Sequence, residues 1–530
     1  MERRFIRTLP VICVVIMLVM SFVSCNGNKD IAEKSIKGIE AEEYKANFER
    51  LPLKLLTGEE IDAKWGGSDA GRGGGDTGRG GGDTGRAGDD TGRDGSEMGR
   101  SGSDTGRGPT SAGGPERPRS AIYVEDGKYL PEESETGVVA EGNIGDTSAS
   151  GVKIVVKEGD IGGITVRGDG SQYTLSDAEI DISGSGKGGA GATCEDHGTL
   201  ILKNVKITTN GSRKYTVSST NSGTVKVYDS TLVSHDEPFE ILPASSITDN
   251  ASRYLGIQGN SRTTMTISNS YGYFYNCSIT ADGWGALSTD KAGEFVYLEA
   301  NGCRIKTVIS GYGAYADFLC HDTFNNCDFD VASMAIVVAG CGDATFKDPK
   351  AKCGTFFALM HCVTGSYTEV GGLNVTGGEI SSKSPAIVVR SHNADINLDG
   401  VKIVSESGIL INTMINPDPN ATTTEGKKVY GVHATLKDMD VEGDVIHEDP
   451  DRIMSLDFKS TALKGAIKNI YISMDATSKW TATGDSEVII VGSVDIAQID
   501  APEGITINAV AGESGTYLLA SGGVLILKRS

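Results

Sequence analysis

From Ser120 onward the chain alternates short apolar runs with glycine–aspartate turns, and nothing there has the spacing of a long amphipathic helix. Val152-Lys153-Ile154-Val155-Val156 and Ile164-Thr165-Val166 are examples. One apolar position recurs through Ile180, Ile207, Leu232, Ile279, Ile305, Phe329, Phe356, Ile380, Ile403, Val441 and Leu463, mostly at steps of 22 to 27 residues. A second phrase keeps the same beat: Asn276-Cys277-Ser278-Ile279, Gly302-Cys303-Arg304-Ile305, Asn326-Cys327-Asp328-Phe329 and, more loosely, Lys352-Cys353-Gly354. Its cysteines lie 26, 24 and 26 residues apart. A period in the twenties, built from strand formers and glycine turns, predicts an all-β, single-stranded parallel β-helix of about a dozen coils. Each coil returns beside its own start, roughly 4.8 Å along the axis, and the crossover rule makes the winding right-handed. A β-sandwich array would instead show hairpin turns at about every 8–12 residues and no register of like residues.

Two steps are longer. The one from Leu232 to Ile279 predicts a coil plus an insertion around Pro243 to Ser261. The one from Ile403 to Val441 holds Asn416-Pro417-Asp418-Pro419-Asn420, which reads as a protruding loop. The open ends of such a helix would template aggregation. Residues 120–150, Tyr517-Leu518-Leu519 and Val524-Leu525-Ile526-Leu527 are the expected caps.

The N-terminal part has a different texture. Residues 1–24 read as a signal peptide, with three arginines between Met1 and Arg7 and an apolar run from Leu9 to Val23 that is short for a membrane span. Residues 25–65 form a polar tether with a mildly helical pattern around Ile31 to Phe48. Residues 66–119 are a low-complexity linker in which Gly-Asp and Gly-Arg phrases repeat, with Asp76, Asp83, Asp90 and Asp104 alternating with Arg79, Arg86, Arg93, Arg100 and Arg107. With almost no apolar side chains, the linker is expected to be disordered. The body, 120–530, is the β-helix with its caps.

Three resemblances add to this. Phe22-Val23-Ser24-Cys25 resembles the lipobox of bacterial lipoproteins, which implies lipidation of Cys25, export and a membrane anchor; Phe22 departs from the usual leucine. Coils of this length resemble the right-handed parallel β-helix of the pectate-lyase-like superfamily. Trp284-Gly285-Ala286-Leu287-Ser288-Thr289-Asp290 and Asp475-Ala476-Thr477-Ser478-Lys479-Trp480-Thr481-Ala482-Thr483-Gly484-Asp485 are similar to phrases in bacterial surface and adhesin-like β-helix proteins. Arg304-Ile305-Lys306 matches a polygalacturonase-like tripeptide, but without the accompanying Gly-His-Gly and paired aspartates it reads as chance and is no further resemblance. These resemblances imply fold more than activity.

A formal charge of −22 disfavours nucleic acid, and the Arg-Gly phrases of an exported acidic chain read as linker. Eight cysteines remain beyond Cys25 in the exported part: 194, 277, 303, 320, 327, 341, 353 and 362. Reduced, inward-facing thiols are the favoured reading; disulfides between coils are the alternative. No Cys-x-x-Cys pair points to a metal.

With the coils set in register, polar residues collect just after one strand of each. Asp290, Asp317, His361 and Arg390 are candidate catalytic groups; Trp284, Tyr312, Tyr315, His392 and Asn412 are candidate ligand contacts. Glu195-Asp196-His197 and His447-Glu448-Asp449 join them, so four of the seven histidines gather at one rim. Asp290 and Asp317 would serve as acid and base of a glycoside hydrolase. Alternatively, His361 or Arg390 would abstract a proton beside a uronate carboxylate, with acidic residues such as Asp282 holding Ca²⁺. A plain solvated rim has the same composition. The functional expectation is a lipid-anchored, surface-exposed β-helix presenting a binding face to polysaccharide or another surface ligand. A polysaccharide lyase or hydrolase working along the groove is the alternative.

Overall fold

The computed structural model describes residues 35–39 and 119–530, apart from 158–159, 185–188, 212–213, 244–245, 248–249, 291–294, 363–368, 420 and 422–429. The expected signal peptide, Cys25 and the Gly-Asp-Arg linker to residue 118 lie outside the described residues. No helix among the described residues is long and apolar enough to cross a membrane.

The body is a parallel β-solenoid of about 13 turns. Each coil runs through three faces. Face 1 holds strands such as Gly285–Asp290, Tyr312–Ala316, Ile336–Ala339, Ala358–His361 and Ile387–Arg390. Face 2 holds Tyr271–Tyr275, Val296–Asn301, Cys320–Asn325 and Asp343–Lys347. Face 3 holds Ser278–Ala281, Arg304–Thr307, Asp328–Val331, Lys350–Cys353, Glu379–Ser382 and Lys402–Ser405.

The recurring cysteine phrase is the corner between faces 2 and 3. Asn276 (φ 54°), Gly302 (φ 63°) and Asn326 (φ 50°) each take one left-handed residue, which asparagine and glycine tolerate best. The next residue then turns inward, and Cys277, Cys303 and Cys327 stack there. The backbone N–H of Cys277 lies 3.4 Å from Cys303 Sγ, and the thiols donate to carbonyls of the preceding coils, Cys303 to Phe274 O at 3.4 Å and Cys327 to Ala300 O at 3.3 Å. All eight body cysteines are buried, and Cys194, Cys277, Cys303, Cys320, Cys327 and Cys353 are free thiols.

The apolar ruler holds with one exception. Ile180, Ile207, Leu232, Ile279, Ile305 and Phe329 pair rung by rung. The next rung is Ala351, not Phe356, and Ile380 and Ile403 follow. Cys353 accordingly pairs with Val331 and lies off the cysteine ladder. The cause is the corner at Asp348-Pro349: Asp348 takes the left-handed place of Asn326 and Pro349 the place of the cysteine, so the phrase around Cys353, further on, mimics the missing corner. Phe356 instead lies at the edge of a second apolar cluster on the outside of face 1.

Both ends close antiparallel. Val139–Ile144 folds back on Ser148–Val156, and Gly515–Leu518 on Val524–Arg529, so the caps fall in the expected segments. Residues 35–39 depart from expectation. Inside the helically patterned tether, Ser35–Lys37 forms a strand that pairs antiparallel with Ser493–Asp495 near the C-terminal end of the solenoid.

Candidate functional site

The parallel register places the predicted polar residues on real rungs of face 1. One outward rung runs Glu125, Arg167, Glu195 and, further along, Ile267, Asp290, Asp317, Ala339, His361, Arg390 and Met414. Asp290 and Asp317 occupy adjacent coils, as do His361 and Arg390. Asn412 does not join them; it pairs with Val388 on the neighbouring outward rung. His447 pairs with Thr413, and its Nε2 lies 2.9 Å from Arg452 O.

The second finding is that the chain covers this face itself. The insertion from residue 236 to 262 carries the short helix Asn250–Leu255. Leu255 and Ile257 from it pack with Tyr312, Met334, Val337, Leu359 and Val388, with Trp284, Tyr315, Phe356 and Met414 at the margin. The cover is fastened by polar contacts: Trp284 N donates to Gln258 O at 2.8 Å, Gln258 N to Ser310 Oγ at 2.8 Å, and Arg390 Nη1 to Tyr254 O. Gly285 permits the close fit underneath, since a Cβ there would lie 2.0 Å from the Tyr312 ring.

The predicted site residues therefore lie in a largely dry environment. Asp290 is held by Arg262 Nη1 at 2.8 Å, and that guanidinium also lies over the Trp284 ring at 5.6 Å. Asp317 is buried. Tyr312 is buried, shares a 2.9 Å hydrogen bond with Ser288 Oγ and packs on Tyr315 at 5.3 Å between centroids. Tyr315 meets the His361 ring edge-on at 6.4 Å. Burial first, then the positive charge of Arg390, pushes His361 down to about 3. Burial, His361 and Arg452 push His392 down to about 3 as well. Both imidazoles are neutral near pH 7 and poor carriers of positive charge. Arg390 is lowered by burial and lies over the Phe356 ring at 5.8 Å.

Other polar groups of this corner were not singled out from the sequence. On face 2 an outward rung runs Tyr271, Tyr297, His321, Asp343, Gly372, Asp395, His433 and Ser455. Their coil-period spacing was the available signal. Asp395 accepts from Tyr430 Oη at 2.7 Å, and His433 Nδ1 lies 2.7 Å from Ser455 Oγ. Asp322, pointing inside, accepts from Thr289 Oγ1 at 3.0 Å, and burial raises its carboxyl well above the usual range. Arg262, the partner of Asp290, lies in the insertion, where periodicity has no reach. Among the described residues no group of three or more His, Cys, Asp or Glu side chains is placed to hold a metal ion, so the Ca²⁺ expectation finds no ligand set there.

Face 3 is open. Its outer surface forms a groove of about 600 Å³. One rung reads Ser278, Arg304, Asp328, Lys350, Glu379, Lys402; the next reads Thr280, Lys306, Asp330, Lys352, Ser381, Val404. Basic and acidic coils thus alternate. Neighbouring coils pair along the rungs, Lys306 to Asp330 at 3.7 Å and Lys402 to Glu379 at 3.4 Å, with all four side chains exposed. Five cations against three carboxylates give this groove a local positive excess on a chain of net −22. Compared with known proteins, the sequence matches no family model and no curated relative.

Proposed function

We propose that this chain is an exported, lipid-anchored β-helix that binds a polysaccharide or similar surface ligand, and that the binding face is the open groove of face 3. The observation carrying this reading is the contrast in access. The face 1 groups with catalytic chemistry are covered by the insertion or committed to one another, whereas face 3 exposes regularly spaced charged rungs. A linear polymer lying along the axis would meet Arg304 and Lys306, then Lys350 and Lys352, then Lys402, which favours a ligand carrying carboxylate or sulfate groups. Whole-chain acidity argues against polyanions in general; a local cationic groove selects a short stretch of one. The lyase or hydrolase reading has less support, because Asp290 is neutralised by Arg262 and His361 is buried as the neutral imidazole.

A panel of uronate, sulfated and neutral polysaccharides tests both readings at once. Binding of acidic chains is expected to weaken at least tenfold in Lys306→Glu/Lys352→Glu and to remain in Trp284→Ala. Binding confined to neutral chains would refute the face 3 assignment. Release of unsaturated or reducing ends would refute the pure-binding reading.

A further inference from the structure

We infer that residues 35–39 strap the N-terminal segment to the C-terminal end of the solenoid, so that this end faces the lipid surface. The second half of this statement rests on the anchoring proposed above. The first half rests on backbone geometry alone. Ser35, Ile36 and Lys37 pair antiparallel with Asp495, Val494 and Ser493, and Ile39 bridges to Val491. Ile39 N donates to Ile490 O at 2.9 Å, Gly492 N to Ile39 O at 3.0 Å and Gly512 N to Lys37 O at 2.8 Å. Ile36 is 1% exposed and joins the main core. Gly38 fits only because it has no side chain: a Cβ would lie 2.4 Å from Gly492 O.

The order of elements then inverts the simple picture of anchor, long spacer and body. The first coil begins at Ser120, at the far end of the solenoid from the strap. About 12 coil steps of ~4.8 Å separate the ends, or roughly 60 Å. Residues 39 and 119 lie at these two ends, a separation well within the extended length of the chain that joins them. Only residues 26–34 lie between Cys25 and the strap, which allows at most about 35 Å from the bilayer to the C-terminal coils. The N-terminal coils become the membrane-distal end.

The strap brings the hydroxyls of Ser35 and Ser493 into contact, which supplies the test. The full-length Ser35→Cys/Ser493→Cys protein is expected to form that disulfide on mild oxidation. After trypsin cleaves the arginine-rich segment, body and N-terminal peptide should run together without reductant and apart with it. Adding Gly38→Val should abolish the cross-link while the solenoid stays folded by far-UV circular dichroism. Absence of the 35–493 cross-link, together with efficient cross-linking of Ser35→Cys/Ser150→Cys at the opposite end, would overturn the strap. For orientation, the cross-linked protein on its native membranes is labelled at Arg529→Cys or Glu141→Cys and exposed to a headgroup-bound quencher. Stronger quenching at 529 is expected; stronger quenching at 141 would overturn the membrane-facing end. If Cys25→Ala leaves the uncut protein on membranes, the anchoring reading fails, and the cross-link result still stands.

Discussion

Faces 1 and 3 belong to the same coils and share one backbone repeat, yet their outer surfaces obey opposite rules. In the coil that holds both Asp330 and Val337, the face 3 residue points to water and the face 1 residue is buried on a second apolar layer. A parallel face normally has a layer on each side. Face 1 achieves this with its own insertion, through Leu255 and Ile257. Face 3 has no such cover among the described residues and keeps like charges off neighbouring coils, Arg304 beside Asp328 beside Lys350. The difference separates two meanings of a polar residue on a solenoid. On face 1 it is a structural group under a cover; on face 3 it is available to a ligand.

The comparison breaks most visibly when a charge is moved from one face to the other. Val337→Asp puts an unpaired carboxylate beneath the insertion and is expected to cost ~4 kcal/mol or more. Lys306→Ala in the groove should change stability by less than about 0.5 kcal/mol. Urea unfolding of the two variants measures both. The next effect is with pH. His361 and His392 are held near 3 in the folded state against an ordinary 6.5, so the unfolded chain takes up protons first as pH falls. Stability should therefore decline from about pH 6.5 towards pH 3. The His361→Gln/His392→Gln protein should show a flatter decline in its urea midpoint, whatever its absolute stability.

Leu255→Ala should loosen the cover by ~2–3 kcal/mol, seen as faster proteolysis of the insertion while the coils stay resistant. Arg262→Gln leaves the carboxylate of Asp290 without its cation in a mostly enclosed place, and a loss of ~1–3 kcal/mol is expected. Glu379→Gln, which removes an exposed partner of Lys402, should fall within about 0.5 kcal/mol. A large effect there would mean that the charged rungs of face 3 serve the fold, and that the groove is structural after all.

The coil count, the strand-rich body, the caps and the insertion after Leu232 were legible in the sequence, because period and turn chemistry are local; the stretch from Asn416 read as a protruding loop, whereas Asn416 and Asp418 are buried and residues 420 and 422–429 lie outside the described residues. The rung that joins Asp290, Asp317, His361 and Arg390 was legible too, since register in a solenoid follows from repeat length. Phe356 was misplaced because Pro349 replaces the cysteine at the Asp348-Pro349 corner, and Cys353 with an apolar residue five positions beyond Ala351 mimics the missing rung. The tether between Ile31 and Phe48 read as helical, yet Ser35–Lys37 is a strand: an exposed edge near Ser493–Asp495 supplied hydrogen bonds that no local pattern encodes. Propensity is a weak guide for a segment whose partner lies more than 450 residues away.

The amino-acid sequence by itself therefore determined the solenoid and its rungs. Each coil repeats the same inward apolar positions and the same left-handed corner, and those are properties of neighbouring residues. Only the tertiary structure decided which rungs meet water. Burial depends on what comes to lie on top, and the insertion over face 1 and the strap at the C-terminal end are long-range contacts without periodicity. Access, rather than residue type, is what moves the candidate site from face 1 to face 3.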